Sequence, residues 1–112
     1  MNYFQPKPIT NFNVTVDIPG SKSITNRALI LSALSGKTVV LKNILLSDDT
    51  KYMIDALRAL NNNIEIDEVN KILKITGNKN PKYENLNLYI GNAGTAMRFL
   101  SSYLATGEGT AT

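Results

Sequence analysis

Residues 16–27 read VDIPGSKSITNR and contain an abrupt change in hydrophobic periodicity. Alternating valine and isoleucine over 14–18 gives the period-2 pattern of a half-buried strand. After Gly20 the apolar residues change to helical spacing, which predicts a helix over 23–34. This stretch therefore predicts a strand, a glycine turn and a helix in direct succession.

A second stretch, residues 88–98, reads LYIGNAGTAMR and repeats the same design. It also runs from apolar alternation through a glycine turn into a helix, which Gly94 and Thr95 open. In both stretches an arginine follows the first glycine by seven residues, and in this copy it is Arg98. The shared pattern indicates an internal structural repeat.

Each glycine turn has the chemistry of an anion site. A glycine lets the backbone approach a ligand, and the free N–H groups at the start of the following helix favour phosphate or carboxylate. Ser23 and Arg27 are four residues apart on one helical face, so both can hold the same oxyanion, with Lys22 beside them. The alternative is an ordinary turn and helix cap with a solvated arginine.

The rest of the chain is predicted as short alternating elements. Ser47 followed by two aspartates is a helix N-cap with acids in the first turn. The other elements are a strand over 37–42, a helix from Ser47 to 60, a hairpin over 64–67 and 73–76, a strand over 86–90, a helix over 94–105 and the opening of a strand at 107–112. This order predicts an α/β (α+β) chain that is truncated, with a frayed polar tail as the alternative.

Composition excludes several classes of chemistry. The 112 residues contain no Cys and no His, which excludes a Ser-His-Asp triad, a cysteine nucleophile, a Cys/His zinc site and disulfides. A scattered net charge of +3 and 7% aromatic residues do not predict nucleic-acid binding. There is neither an apolar run of about 20 residues nor a signal-peptide pattern. We therefore expect a cytoplasmic protein with no membrane and no nucleic-acid partner.

Other candidate nucleotide-binding and metal-binding motifs have less support in the sequence. Ser21 stands where a nucleotide P-loop requires glycine, so that motif is absent. Residues 91–94 lack the three-glycine spacing of a dinucleotide fingerprint. Asp48 and Asp49 have side chains that can ligate a metal, but acids in a first helical turn more often complement the helix dipole.

Together these stretches resemble the 5-enolpyruvylshikimate-3-phosphate (EPSP) synthase family. The family's N-terminal signature is matched from Ile18 to Leu29, its second signature from Gly91 to Arg98, and its Ser-Asp-Asp at Ser47. The resemblance covers essentially the whole chain. It implies a transferase of the shikimate pathway, on the route to chorismate and the aromatic amino acids. The implied reaction moves the enolpyruvyl group of phosphoenolpyruvate to the 5-hydroxyl of shikimate 3-phosphate and releases phosphate, with no metal or cofactor.

The resemblance also implies roles for individual residues. Lys22 is the implied catalytic residue, contacting both substrates and taking part in proton transfer. Ser23 and Arg27 are implied to bind shikimate 3-phosphate. The full implied substrate-binding set is Lys22, Ser23, Arg27, Asn92, Gly94, Thr95 and Arg98, the last four on the phosphoenolpyruvate side. Phe99 departs from the family, since many members carry proline there, and this bears on the packing and inhibitor response of that helix.

The family's architecture implies how the chain is organised. It is an inverse α/β barrel enzyme of two domains, each built from three βαβαββ units, with the active site in the cleft between them. Residues 20–112 would form the first βαβαββ unit and the start of the second, and residues 1–19 would belong to the other domain. We expect a monomer when full length and no turnover by these 112 residues alone. The alternatives are a relative of the UDP-N-acetylglucosamine enolpyruvyl transferase, disfavoured by the Pro-Gly-Ser-Lys-Ser segment, and a non-catalytic anion-binding module.

Overall fold

The computed structural model describes residues 2–112 as a small mixed α/β unit. Its elements, in chain order, are α1 (Lys22–Ser35), β1 (Thr38–Lys42), α2 (Asp48–Ala59), β2 (Asn63–Asp67), β3 (Ile72–Thr76) and α3 (Gly94–Leu104). Both helices expected before residue 61, the hairpin and the third helix are present at their predicted places. The mixed helix-and-strand prediction is therefore confirmed. Among residues 2–112 no helix combines the length and apolar character needed to cross a membrane.

The sheet has three strands in the order β1-β3-β2. The central strand β3 runs antiparallel to both neighbours, and its Ile75 lies opposite Val39 on one side and Ile64 on the other. Alternation along β3 buries Leu73 and Ile75 and leaves Lys74 on the opposite, exposed face. The sheet therefore offers one apolar face, against which α1 and α2 pack.

Local capping explains where the helices begin and end. Ser21 caps α1, its side chain accepting a hydrogen bond from the Ile24 N–H, and Gly36 ends that helix in the left-handed conformation. At α2, Ser47 and Thr50 form a reciprocal capping box. These contacts lie within a few residues in sequence, which is why they could be predicted without knowledge of the tertiary fold.

The core lies between the helices and the sheet. It is built mainly from aliphatic side chains of α1, α2 and β3, among them Leu29, Met53, Leu57, Leu73 and Ile75, all fully buried. The first helix contacts α2, α3, β1 and β3, and is therefore the central packing element of the unit. Its position fixes the orientation of the residues at its N-terminus.

A buried polar network joins α3 to the end of α2. The Asn62 amide donates hydrogen bonds to Leu57 O (2.9 Å) and to the Tyr103 hydroxyl (3.0 Å), and its Oδ1 accepts one from the Asn78 N–H at 2.8 Å. The Tyr103 hydroxyl in turn donates to Asn78 O. Burial raises the pKa of the Tyr103 hydroxyl, and its hydrogen bond with Asn62 opposes that rise.

The strand predicted over 14–18 is wrong. Residues 2–20 form neither helix nor strand, and Val14, Val16 and Ile18 are each more than two-thirds exposed. The alternating pattern identifies a segment suited to a half-buried sheet position, but a strand also needs a partner for its backbone groups. No such partner is found within residues 2–112.

The strands predicted over 86–90 and from 107 are also wrong as regular strands. The two segments instead run parallel and form single bridges, one of them between Leu86 and Ala111. The Leu86 N–H donates to Thr110 O at 2.9 Å, and the Thr112 N–H donates back to Leu86 O at 2.8 Å. The pairing is too short to form a ladder of regular strands.

Candidate anion site at the helix N-termini

The first glycine turn, residues 20–27, is held against the loop that follows β1. A Cβ on Gly20 would lie 2.2 Å from Asn43 O, so only glycine permits this close approach. The geometry of a helix start leaves the N–H groups of Lys22 and Ser23 without intrahelical partners. The side chains of Lys22, Ser23 and Arg27 are all exposed. The turn therefore presents two backbone donors and two cations to one end of the molecule.

The second glycine turn, residues 91–98, opens α3 without a side-chain cap. Ala93 occupies the N-cap position and makes no side-chain hydrogen bond to the helix. Gly91 has φ +51°, and a Cβ there would lie 2.9 Å from the Tyr52 ring. By contrast, a Cβ on Gly94 would meet nothing within 4 Å. The start of α3 is consequently open to an outside acceptor.

The predicted site residues of the second glycine turn are exposed as well. The structure places Asn92, Gly94, Thr95 and Arg98 at the solvent-facing start of α3. Helix geometry leaves the N–H groups of Thr95 and Ala96 free of intrahelical partners. This is the arrangement that favours an anion at a helix N-terminus.

Both glycine turns are linked to the N-terminal half of α2. Lys22 Nζ lies 2.8 Å from Asp49 Oδ2, which joins the first glycine turn to α2. Tyr52 packs against Gly91 and meets the Tyr89 ring edge-on, with ring centroids 5.7 Å apart. Within residues 2–112 no hydrogen bond or ion pair joins one glycine turn directly to the other. They are brought to the same end of the helical layer through α2.

The only ionisable groups with a resolved pKa shift in residues 2–112 lie outside these turns. At the end of β2, hydrogen bonds from the Asn70 side chain and backbone hold the pKa of Asp67 below its ordinary value. The other shifted group is Tyr103, at the far end of α3. In the same part of the chain no group of three or more His, Cys, Asp or Glu residues could hold a metal.

Two features of the first glycine turn were not predicted. Asp49 lies in the first turn of α2 as expected, and it also pairs with Lys22, which the sequence did not predict. Asn26 is buried one turn after Lys22, and its Oδ1 has no hydrogen-bond partner among residues 2–112. Neither feature has a local sequence signal, since both depend on what packs against α1. The unpaired oxygen is a place for a bound water or another donor.

Comparison with known proteins identifies the family. The family model of EPSP synthase (3-phosphoshikimate 1-carboxyvinyltransferase) matches residues 6–112. This chain belongs to the EPSP synthase family. The resemblance inferred from the two glycine turns is thereby confirmed.

The relatives are 3-phosphoshikimate 1-carboxyvinyltransferases. That of Sulfurovum sp. (strain NBC37-1) is 43% identical over 112 residues, which cover 98% of this chain and 26% of the relative. That of Escherichia coli (strain SMS-3-5 / SECEC) is 44% identical over 104 residues, which cover 91% of this chain and 24% of the relative. Among solved structures, EPSP synthase from Acinetobacter baumannii matches with a TM-score of 0.71 at 28% identity, covering 86% of this chain and 23% of that one. The chain thus spans about a quarter of the length of its relatives.

Proposed function

We propose that this chain provides the first part of the substrate site of an EPSP synthase. In the complete site, the enolpyruvyl group of phosphoenolpyruvate is transferred to the 5-hydroxyl of shikimate 3-phosphate and phosphate is released. The observation that supports this function is the placement of two helix N-termini, each at a glycine turn, at one end of the unit, with Lys22, Arg27 and Arg98 exposed beside them. Both proposed substrates are anions, which such an end stabilises.

In this proposal the first glycine turn binds shikimate 3-phosphate. Ser23 donates its hydroxyl, and Arg27, one helical turn later, supplies a planar guanidinium suited to two parallel hydrogen bonds with a phosphate. The exposure of both side chains on α1 supports this role. Arg27 makes no ion pair within residues 2–112, so its guanidinium is available to a ligand.

The second glycine turn forms the phosphoenolpyruvate side. Asn92 and Gly94 line that side, and Thr95 and Arg98 support the loop. The missing side-chain cap at Ala93 and the open space at Gly94 favour this role, because a ligand acceptor can replace the cap.

The proposed chemistry proceeds in two steps. The 5-hydroxyl oxygen attacks C2 of phosphoenolpyruvate as C3 gains a proton, giving a tetrahedral intermediate that then expels phosphate as the C3 proton leaves. Lys22 contacts both substrates and takes part in moving the hydroxyl proton. Catalysis requires preorganised donors on all sides of the reacting atoms. We therefore expect residues 1–112 alone to show no turnover.

The arrangement of the N-terminal segment is part of the same proposal. Residues 2–19 carry seven large hydrophobic side chains that are each mostly exposed, from Tyr3 to Ile18. Large apolar surface of this kind is typical of an interaction site. In the complete enzyme this segment joins the other domain, and residues 20–112 belong to the first domain. The complete protein acts as a cytoplasmic monomer on small-molecule substrates.

A chimeric enzyme tests this function. Residues 1–112 replace the matching quarter of the Sulfurovum relative, and phosphate release is measured with both substrates, with each substrate alone, and with a UDP-amino sugar as acceptor. We expect release only when shikimate 3-phosphate and phosphoenolpyruvate are both present, and loss of it in Lys22→Ala. A matched control is Lys82→Ala, which removes an exposed lysine outside both glycine turns and should leave the rate unchanged.

Three results would contradict the proposal, two of them from the chimera and one from the 112-residue chain alone. A folded chimera, judged by circular dichroism and a cooperative melt, that releases no phosphate would exclude an EPSP synthase site in this chain. Activity with the UDP-amino sugar in place of shikimate 3-phosphate would assign it to the other enolpyruvyl transferase. Phosphate release by the 112-residue chain alone would refute the expectation that it provides only part of the site.

A further inference from the structure

Lys22 has a dedicated counterion on a different helix. Asp49 lies 27 residues later in the chain, in the first turn of α2, and its Oδ2 is 2.8 Å from Lys22 Nζ. The distance is that of a charge-assisted hydrogen bond. The side chains are 51% and 34% exposed, so the pair lies at the surface where a ligand can reach the lysine.

Hydrogen bonds around the N-terminus of α2 fix the position of Asp49. The N-terminus of α2 is held by the capping box of Ser47 and Thr50. The Thr50 hydroxyl also donates to Leu45 O at 2.8 Å, and the Leu45 N–H donates to Thr25 Oγ1 at 3.1 Å. Thr25 is buried on α1, one turn after the lysine. Asp49 is thus fixed to the same helix that carries the lysine it contacts.

Lys22 requires a counterion to hold its ammonium group in one position. Its ammonium sits on a flexible four-carbon stem, and at the first residue of α1 it faces the positive end of the helix dipole, which disfavours a cation. A lysine ammonium has three N–H donors, and the bond to Asp49 uses one of them. Two donors therefore remain for an anionic or hydroxyl-bearing ligand while the carboxylate holds the nitrogen in place.

We propose that Asp49 is a positioning residue that holds Lys22 Nζ in its substrate-binding geometry. This inference rests on the function proposed above, because it assumes that Lys22 acts on the substrates. Asp49 contacts the lysine, and through it sets the direction of the two remaining donors. It is not a competitor that a substrate anion must displace.

The neighbouring Asp48 provides a matched control. It lies in the same first turn of α2, carries the same charge, is exposed and forms no salt bridge among residues 2–112. Asp48→Asn and Asp49→Asn therefore make the same change in net charge and a similar change at the helix dipole. Only the second removes the carboxylate bound to Lys22.

The first experiment compares the kinetics of chimeras carrying Asp49→Asn, Asp49→Glu and Asp48→Asn. We expect Asp49→Asn to lower kcat at least tenfold without lowering KM for phosphoenolpyruvate, and Asp48→Asn to stay within twofold of the parent. Asp49→Glu keeps the carboxylate and should recover part of the loss. A lower KM with unchanged kcat in Asp49→Asn would make Asp49 a competitor and overturn the proposal, as would Asp49→Glu performing no better than Asp49→Asn.

The second experiment observes the ammonium group directly, without turnover. In the 112-residue chain, the NMR signal of the Lys22 side-chain ammonium is assigned by its loss in Lys22→Arg. We expect restricted nitrogen motion in the parent and in Asp48→Asn, and free motion in Asp49→Asn. Equal motion in all three would overturn the proposal.

Together the two readouts distinguish a failure of the proposed function from a failure of the positioning role. A parent chimera without activity whose Lys22 ammonium is ordered by Asp49 rejects the proposed function while the contact itself stands. An active parent whose Asp49→Asn variant matches Asp48→Asn rejects the positioning role alone. Melting temperatures of all variants show whether a loss of rate reflects unfolding.

Discussion

The hydroxyl of Tyr103 in α3 accepts a 3.0 Å hydrogen bond from the side-chain amide of Asn62, just after the end of α2. Both side chains are almost fully buried, and they are 41 residues apart in sequence. Because the glycine turn that opens α3 lies at the other end of the same helix, this contact helps to fix the direction in which α3 presents its N-terminus. It is a tertiary constraint on the candidate site.

Removing this hydroxyl should destabilise the fold. Tyr103→Phe leaves Asn78 O without its buried donor and removes one acceptor of the Asn62 amide, at a cost of about 1–3 kcal/mol. Urea unfolding followed by circular dichroism measures the change. The control is Tyr89→Phe on an exposed ring, which should alter stability by less than about 0.5 kcal/mol. Equal stability of the two variants would contradict a stabilising role for the network.

The same tyrosine should make the fold sensitive to alkali. Its pKa is raised in the folded state, so above its ordinary value of 10.0 the unfolded chain loses a proton that the folded chain retains. Its contribution to stability is present below pH 10 and is lost as the pH rises through the folded-state pKa. The unfolding free energy of the parent should therefore fall more steeply above pH 10 than that of Tyr103→Phe. Parallel curves would show that Tyr103 does not carry this dependence.

The capping box of α2 should contribute to stability through its threonine. Thr50 is fully buried, and its hydroxyl accepts from the Ser47 N–H and donates to Leu45 O. Thr50→Val keeps the shape but removes both bonds, which should lower the unfolding free energy by about 1–3 kcal/mol. Thr50→Ser retains the hydroxyl and should lose less. A Thr50→Val variant as stable as the parent would show that the hydroxyl bonds contribute nothing, and a larger loss in Thr50→Ser than in Thr50→Val would assign the effect to methyl packing.

Gly20 in the first glycine turn and Gly94 in the second should respond differently to alanine. A Cβ on Gly20 would overlap Asn43 O, so Gly20→Ala should lower the unfolding free energy by about 1–3 kcal/mol. A Cβ on Gly94 would meet nothing within 4 Å beyond its own helix backbone, so Gly94→Ala should leave stability unchanged.

The effect of Gly94→Ala should instead appear in substrate binding. In the chimera, the added methyl group lies where phosphoenolpyruvate is proposed to approach the backbone, and KM for that substrate should rise at least tenfold. Chemical denaturation and steady-state kinetics of the same samples provide both readouts. An unchanged KM in Gly94→Ala would place the phosphoenolpyruvate site elsewhere.

The amino-acid sequence by itself determined the features that depend on near neighbours in the chain. The cap at Ser47, the end of α1 at Gly36 and the hairpin over 63–76 arise from contacts a few residues apart. The two glycine turns and their exposed cations were likewise evident from motif and spacing, and they were sufficient to indicate the family.

Only the tertiary structure decided which segments pair and which side chains meet. The pattern over 14–18 suits a strand, yet no partner lies within residues 2–112, whereas the segment around Leu86 pairs with the one around Ala111. The contact between Asp49 and Lys22 spans 27 residues and depends on how α1 packs against α2. Local periodicity specifies which face of an element is apolar, but the partner of that face depends on the packing of segments distant in the chain.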